Sequence, residues 1–193
     1  MAKRVVWAGL IGGIAMSLWT FIVNGILRFG VRMNMKVVAN EPEVYEMLTA
    51  SVVEPGRYVI NPAGTPGVGF PLNEPVFGLT YSGFGHEAAG ALMWLGLVTM
   101  FAATILAAWM LSRTSARFRS SYVRRALYFT AIGVLFAVSV DLDSFGIAGR
   151  PLGDALILGA HRITMWTFVG LFAAWFMKPI AHATNDRSTS RTE

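Results

Sequence analysis

Cysteine is absent from this 193-residue chain, so neither disulfide exchange nor thiolate metal chemistry is available to it. A thiol oxidoreductase is thereby excluded. Any long segment in an oxidising compartment has to be held by its own packing, or by docking onto the membrane or a partner. Charge is scarce as well. Only 14% of the residues are charged against 54% apolar, and the mean hydropathy is +0.53, far from the balance of an ordinary soluble domain. No catalytic or cofactor motif stands out, which leaves hydrophobic patterning and the placement of the few charges as the informative signals.

What is present is a set of four apolar runs, residues 5–27, 88–111, 122–143 and 155–177. At about 1.5 Å of helical rise per residue, each is long enough to cross roughly 30 Å of hydrocarbon. The predicted fold class is all-α membrane, a four-transmembrane-helix bundle. A single domain over residues 1–180 includes a long extracytoplasmic lid, 30–85, between helices 1 and 2. Residues 181–193, rich in Ser, Thr, Asp, Asn and Arg, read as a disordered cytoplasmic tail, and His182 there needs no role. The first run follows Lys3 and Arg4 as a secretory signal would, but without a convincing small-residue cleavage site it reads as a retained anchor.

Orientation follows from where Lys and Arg fall. Lys3, Arg4, Arg113, Arg117, Arg119, Arg124, Arg125, Lys178, Arg187 and Arg191 lie on one side in short segments. Arg28, Arg32, Lys36, Arg57 and Arg150 lie on the other, together with nine acids from Glu41 to Asp154. Both termini are therefore expected in the cytosol. The +5 net charge is two opposed charge layers and no sign of nucleic-acid binding. Trp7, Trp109 and Trp175 fall near the same ends of their runs, as an interfacial aromatic belt would. The five arginines between residues 112 and 125 read as a topogenic loop that also attracts anionic headgroups.

The 30–85 segment divides in two. Asn40 followed by Glu43 reads as a capping pair, with Pro42 in the first turn and Val44, Met47, Leu48 and Val52 at helical spacing. Beyond it, residues 55–85 contain twelve Gly or Pro in thirty-one, with strand-like pieces at 58–60 and 76–81. Phe70, Val76, Phe77, Leu79, Tyr81 and Phe84 are too apolar for a disordered linker and predict a lid or a protein-binding face. Trp19 and Asn24 late in the first run, the Asn40-Glu41-Pro42-Glu43-Val44 helix start, and Pro55-Gly56-Arg57-Tyr58 with Pro62 soon after form a recognisable pattern. On these motifs, residues 5–62 resemble a group of uncharacterised bacterial four-span inner-membrane proteins. The resemblance implies topology and location, and no activity.

Small residues recur at i, i+4 and i+8 along two runs, Gly9, Gly13 and Ser17 on the first and Thr99, Ala103 and Ala107 on the second. Such stripes let helix backbones approach closely, within the bundle or in a larger assembly. The ionisable residues gather toward one membrane face: His86 and Glu87, Asp141 and Asp143, then Asp154, His161 and Arg162. An arginine inside a span costs roughly 2.5 to 3.5 kcal/mol on insertion scales, so Arg162 needs a partner. Side chains lean toward their helix N-terminus, so Asp141 and Arg162 on antiparallel neighbours converge in depth and are expected to pair, with Asp143 or Asp154 as second choice.

The expected function is non-enzymatic: an accessory or scaffold subunit, with membrane lipids and other subunits or further copies of itself as partners, without a cofactor and without nucleic acid. Two other chemistries compete with a purely structural cluster. His86 and His161 could hold a b-type haem, or His86, Glu87, Asp141 and His161 a metal, in a membrane redox protein. Intramembrane His and Asp could also serve a small ion or proton transporter.

Overall fold

The computed structural model of the chain describes residues 1–34, 36–60, 77–145 and 150–179, apart from the side chains of residues 34, 86–89 and 91. The expected tail at 181–193 and much of the Gly/Pro-rich stretch lie outside these residues. Four helices are long and apolar enough to cross a membrane: Ala2–Ile26, Leu92–Ser112, Tyr122–Phe145 and Leu152–Phe176. They define a helical, multi-pass membrane protein.

Helix α1 (Ala2–Thr20) continues through a π turn, Phe21–Ile26. A short α2 (Phe29–Asn34), α3 (Glu41–Ser51) and strands β1 (Gly56–Ile60) and β2 (Phe77–Tyr81) follow. The strands pair antiparallel with Tyr58 opposite Leu79, and they fall on the strand-like pieces at 58–60 and 76–81. Then come α4 (His86–Ser112), α5 (Ala116–Ser120) and α6 (Tyr122–Phe136), which runs on through a second π turn (Ala137–Leu142) and a 3-10 turn (Asp143–Phe145). The last element is α7 (Leu152–Phe176).

Two local expectations change. Asn40 does stand before α3, but in the left-handed conformation (φ 58°) and without a side-chain capping bond, so no reciprocal pair with Glu43 forms. Asn tolerates that conformation better than most residues, and its carbonyl accepts from Val44 N at 3.1 Å. The arginine-rich connection is not an open loop. Ser115 Oγ accepts from Phe118 N at 3.2 Å and Ser121 Oγ from Arg124 N at 3.5 Å, so its serines start α5 and α6.

The spans lie side by side in the order α4, α1, α7, α6, with α4 and α6 meeting little. Lipid is as apolar as the helix surfaces, so what selects neighbours is close packing and hydrogen bonding rather than hydrophobicity. Glycine supplies the closeness. A Cβ on Gly9 would sit 2.6 Å from the Cα of Ile105, and one on Gly13 within 2.3 Å of the Phe101 ring. On the other pair, a Cβ on Gly170 would meet the Ala126 carbonyl oxygen at 2.8 Å. Gly9 and Gly13 are thus used inside the molecule, against α4. Ala107 is buried and Ala103 half-buried, whereas Thr99 is exposed and turns its hydroxyl back to Gly96 O at 2.8 Å. Thr104, which that stripe omits, is fully buried and donates across to Gly9 O at 2.8 Å.

Candidate functional site

Asp141 lies in the π turn that ends the third span, and Arg162 lies ten residues into α7. Their antiparallel helices tilt the two side chains toward one level. Arg162 Nε donates to Asp141 Oδ2 at 3.0 Å and Nη2 donates to Oδ1 at 2.9 Å. This forked, charge-assisted geometry is the strongest form an ion pair takes. The carboxylate is 5% exposed and the guanidinium side chain 35% exposed. Two ionised groups in a mostly apolar protein are thereby rendered one neutral unit.

His161, the preceding residue, packs among aromatic rings. Trp19 Nε1–H donates to His161 Nδ1 at 3.4 Å, and the Trp19 and Phe29 ring centroids lie 6.2 and 4.9 Å from the imidazole. An indole nitrogen can only donate, so Nδ1 is an acceptor and the proton of the neutral ring sits on Nε2. That tautomer bears on the expected metal and haem roles. A histidine that ligates through Nε2 keeps its proton on Nδ1 and donates it to a second group; here a donor already points at Nδ1. Among the described residues no three His, Cys, Asp or Glu side chains are grouped to hold a metal. The side chains of His86 and Glu87 lie outside the described residues, so the four-residue metal set and the two-histidine haem fall partly there.

Among the described acids, Asp143 and Asp154 do not join the pair. Asp143 is exposed in the 3-10 turn. Asp154, in the first turn of α7, faces Lys36 at 3.9 Å beside a separate cavity of about 500 Å³ that Arg57 and Arg150 also line. One expected polar cluster is therefore two sites, because Asp154 lies two turns before Arg162 on α7 and cannot share its level.

Next to the Arg162–Asp141 pair is a larger cavity of about 540 Å³. All four spans contribute walls: Met16 and Thr20 from α1, Met100 and Ala103 from α4, Phe136 from α6, and Leu158, Met165 and Trp166 from α7. Thr20, Asn24, Thr99, His161 and Arg162 supply its polar part.

Sequence reasoning passed over a second arginine. Arg125, counted among loop cations, is 1% exposed. Its Nε donates to Ala174 O at 2.8 Å, its Nη1 donates to Arg119 O, and its guanidinium lies 5.8 Å from the Tyr122 ring centroid. A cation at the Ala174 carbonyl adds a shorter second bond to the one this acceptor takes from Met177 N at 3.3 Å and opposes the negative end of the α7 dipole. Midway along the same helix pair, the Thr130 and Thr167 hydroxyls meet at 3.0 Å, and Tyr122 donates to Leu171 O at 2.6 Å. The α6–α7 hairpin is thus pinned by polar bonds near both ends and in the middle. Helical spacing held the signal for the threonine pair; nothing in the sequence separated Arg125 from its solvated neighbours.

Fold and site together describe a multi-pass helical membrane protein with a neutralised arginine–aspartate pair beside an internal cavity. Comparison with family models, curated proteins and solved structures finds no match.

Proposed function

We propose that this chain is a non-enzymatic accessory or scaffold subunit of a larger assembly in a bacterial inner membrane, with both termini cytosolic and residues 30–85 outside. One observation carries the reading. The described residues between the first two spans, 36–60 and 77–85, make few contacts with them and present Tyr45, Met47, Val53 and Phe77, 59 to 78% exposed. Large apolar side chains left exposed outside the spans are what a contact with a partner or with the membrane would cover. The charges inside the spans serve packing: Arg162 is matched by Asp141 and Arg125 by helix carbonyls. At the opposite end, Arg113 lies over Trp109 at 5.2 Å and Lys178 over Trp175 at 4.5 Å, pairings suited to a headgroup layer rich in cations and indoles.

Two measurements test this. With no native cysteine, a Tyr45→Cys variant labels uniquely: a membrane-impermeant maleimide reacts with it in intact spheroplasts, and with Ser120→Cys only after permeabilisation. The reverse pattern overturns the topology. Purification of the full chain in mild detergent yields a complex of fixed stoichiometry, with another subunit or with itself. A monomer that carries a Soret band or bound metal overturns the accessory role.

A further inference from the structure

The 540 Å³ cavity goes beyond a scaffold role. Its size lies within the range of roughly 300 to 1,000 Å³ typical of small-molecule sites. Met100 and Ala103 of α4 and Phe136 of α6 all line it, and these two spans pack on each other far less than the neighbouring pairs α4–α1, α1–α7 and α7–α6 do. The cavity is consequently a cleft that opens sideways, in the membrane plane, where lipid-soluble molecules are the available occupants. Both interrupted helices meet at its rim, through Asn24 of the first π turn and Phe136 just before the second. Such turns recur at binding sites.

Charge and hydrogen bonding define the head of the occupant. Asp141 neutralises Arg162, and Trp19 holds His161 as the Nε2–H form. Arg162 spends Nε and Nη2 on Asp141; among the described residues no hydrogen bond engages Arg162 Nη1 or His161 Nε2. At His161 and Arg162 the polar end therefore offers donors and no net charge, and the Thr20 and Asn24 side chains that also line the cavity are uncharged. A carboxylate or phosphate would add an uncompensated negative charge there, whereas an uncharged carbonyl oxygen adds only the acceptor the donors lack. We propose that the cleft binds one membrane-soluble amphiphile with an uncharged carbonyl head, a quinone or a glyceride ester. Its carbonyl accepts from His161 Nε2–H and Arg162 Nη1–H, and its chain leaves between α4 and α6.

The test uses the full chain in lipid nanodiscs, titrated with decylubiquinone, dioctanoylglycerol and oleate, with stoichiometry from native mass spectrometry and affinity from tryptophan emission. One neutral ligand binds saturably at one per chain, and which of the two does so identifies the source of the carbonyl. Ala103→Trp, which fills the cleft, removes binding; Leu158→Phe serves as a second filling variant, and the melting temperature of each shows that it is folded. His161→Phe weakens binding about tenfold, the loss of one directed hydrogen bond, and Leu106→Trp on the exposed side of α4 leaves it unchanged. Binding of neither neutral ligand, tighter binding of oleate, or equal binding by folded cleft-filling or His161→Phe variants overturns the proposal.

Discussion

Removing either member of the Arg162–Asp141 pair leaves a charge without a partner in a site that water scarcely reaches. Breaking a fully buried pair costs about 3 to 5 kcal/mol. Here the aspartate side chain is 5% exposed but the arginine 35%, so part of the loss is recovered by solvent and headgroups at the open side. A cost of about 2 kcal/mol is expected for Asp141→Leu and a similar one for Arg162→Met. The double variant removes both charges and substitutes apolar side chains, so it should fall only about 1 to 2 kcal/mol below the native chain. The single losses then exceed the double by a coupling of about 2 to 3 kcal/mol. Thermal or denaturant unfolding of the four proteins in one detergent, at one pH, measures it. Additive single costs, with coupling under about 0.5 kcal/mol, would show that the two bonds at 2.9 and 3.0 Å do not act as a unit and would refute the reasoning.

Other perturbations discriminate other parts of the fold. Gly170→Ala drives a methyl to 2.8 Å from the Ala126 carbonyl oxygen and should cost about 1 to 3 kcal/mol; Gly96→Ala, with nothing within 4 Å, should stabilise by about 0.5 to 1 kcal/mol, both read from unfolding midpoints. Arg125→Met unhooks the end of α7 and should cost about 2 to 3 kcal/mol, and Arg125→Lys should not restore it, because an ammonium lacks the planar fork that reaches two carbonyls. Lys36→Ala, by contrast, breaks a 3.9 Å contact from a 77% exposed lysine side chain and should shift stability by less than about 0.5 kcal/mol.

Much of the fold is legible in hydrophobicity alone. Runs of apolar residues near 88–111 and 155–177 become α4 and α7 with boundaries shifted by a turn or less, the usual uncertainty of helix ends. The Arg162–Asp141 pair is legible too, because a short connection between antiparallel helices fixes both depth and facing. Neighbour choice is not. A soluble helix announces its buried side by its polar one, but here the lipid side is as apolar as the core: Trp94 and Val98 are exposed while Leu111 and Phe129 are fully buried. Small residues mark every span, so Gly133 and Gly170 carry no more sequence signal than Gly96. Arg125 was illegible for a related reason. Its neighbours Arg119 and Arg124 share its composition, and only the arrival of α7 at its side turns it into an interior group. The π turns leave no period of their own in sequence, which hides the widening that carries Asp141.

The spatial order α4, α1, α7, α6 places α1 and α7, the first and fourth of these spans in chain order, side by side at the centre. The face of α1 that receives Val169 and Ala173 at Gly12 stays without these neighbours until the ribosome has also produced α4, α6 and α7. Biogenesis of this protein therefore includes an interval in which α1 waits, shielded by lipid or by the insertion machinery, for α7 to arrive.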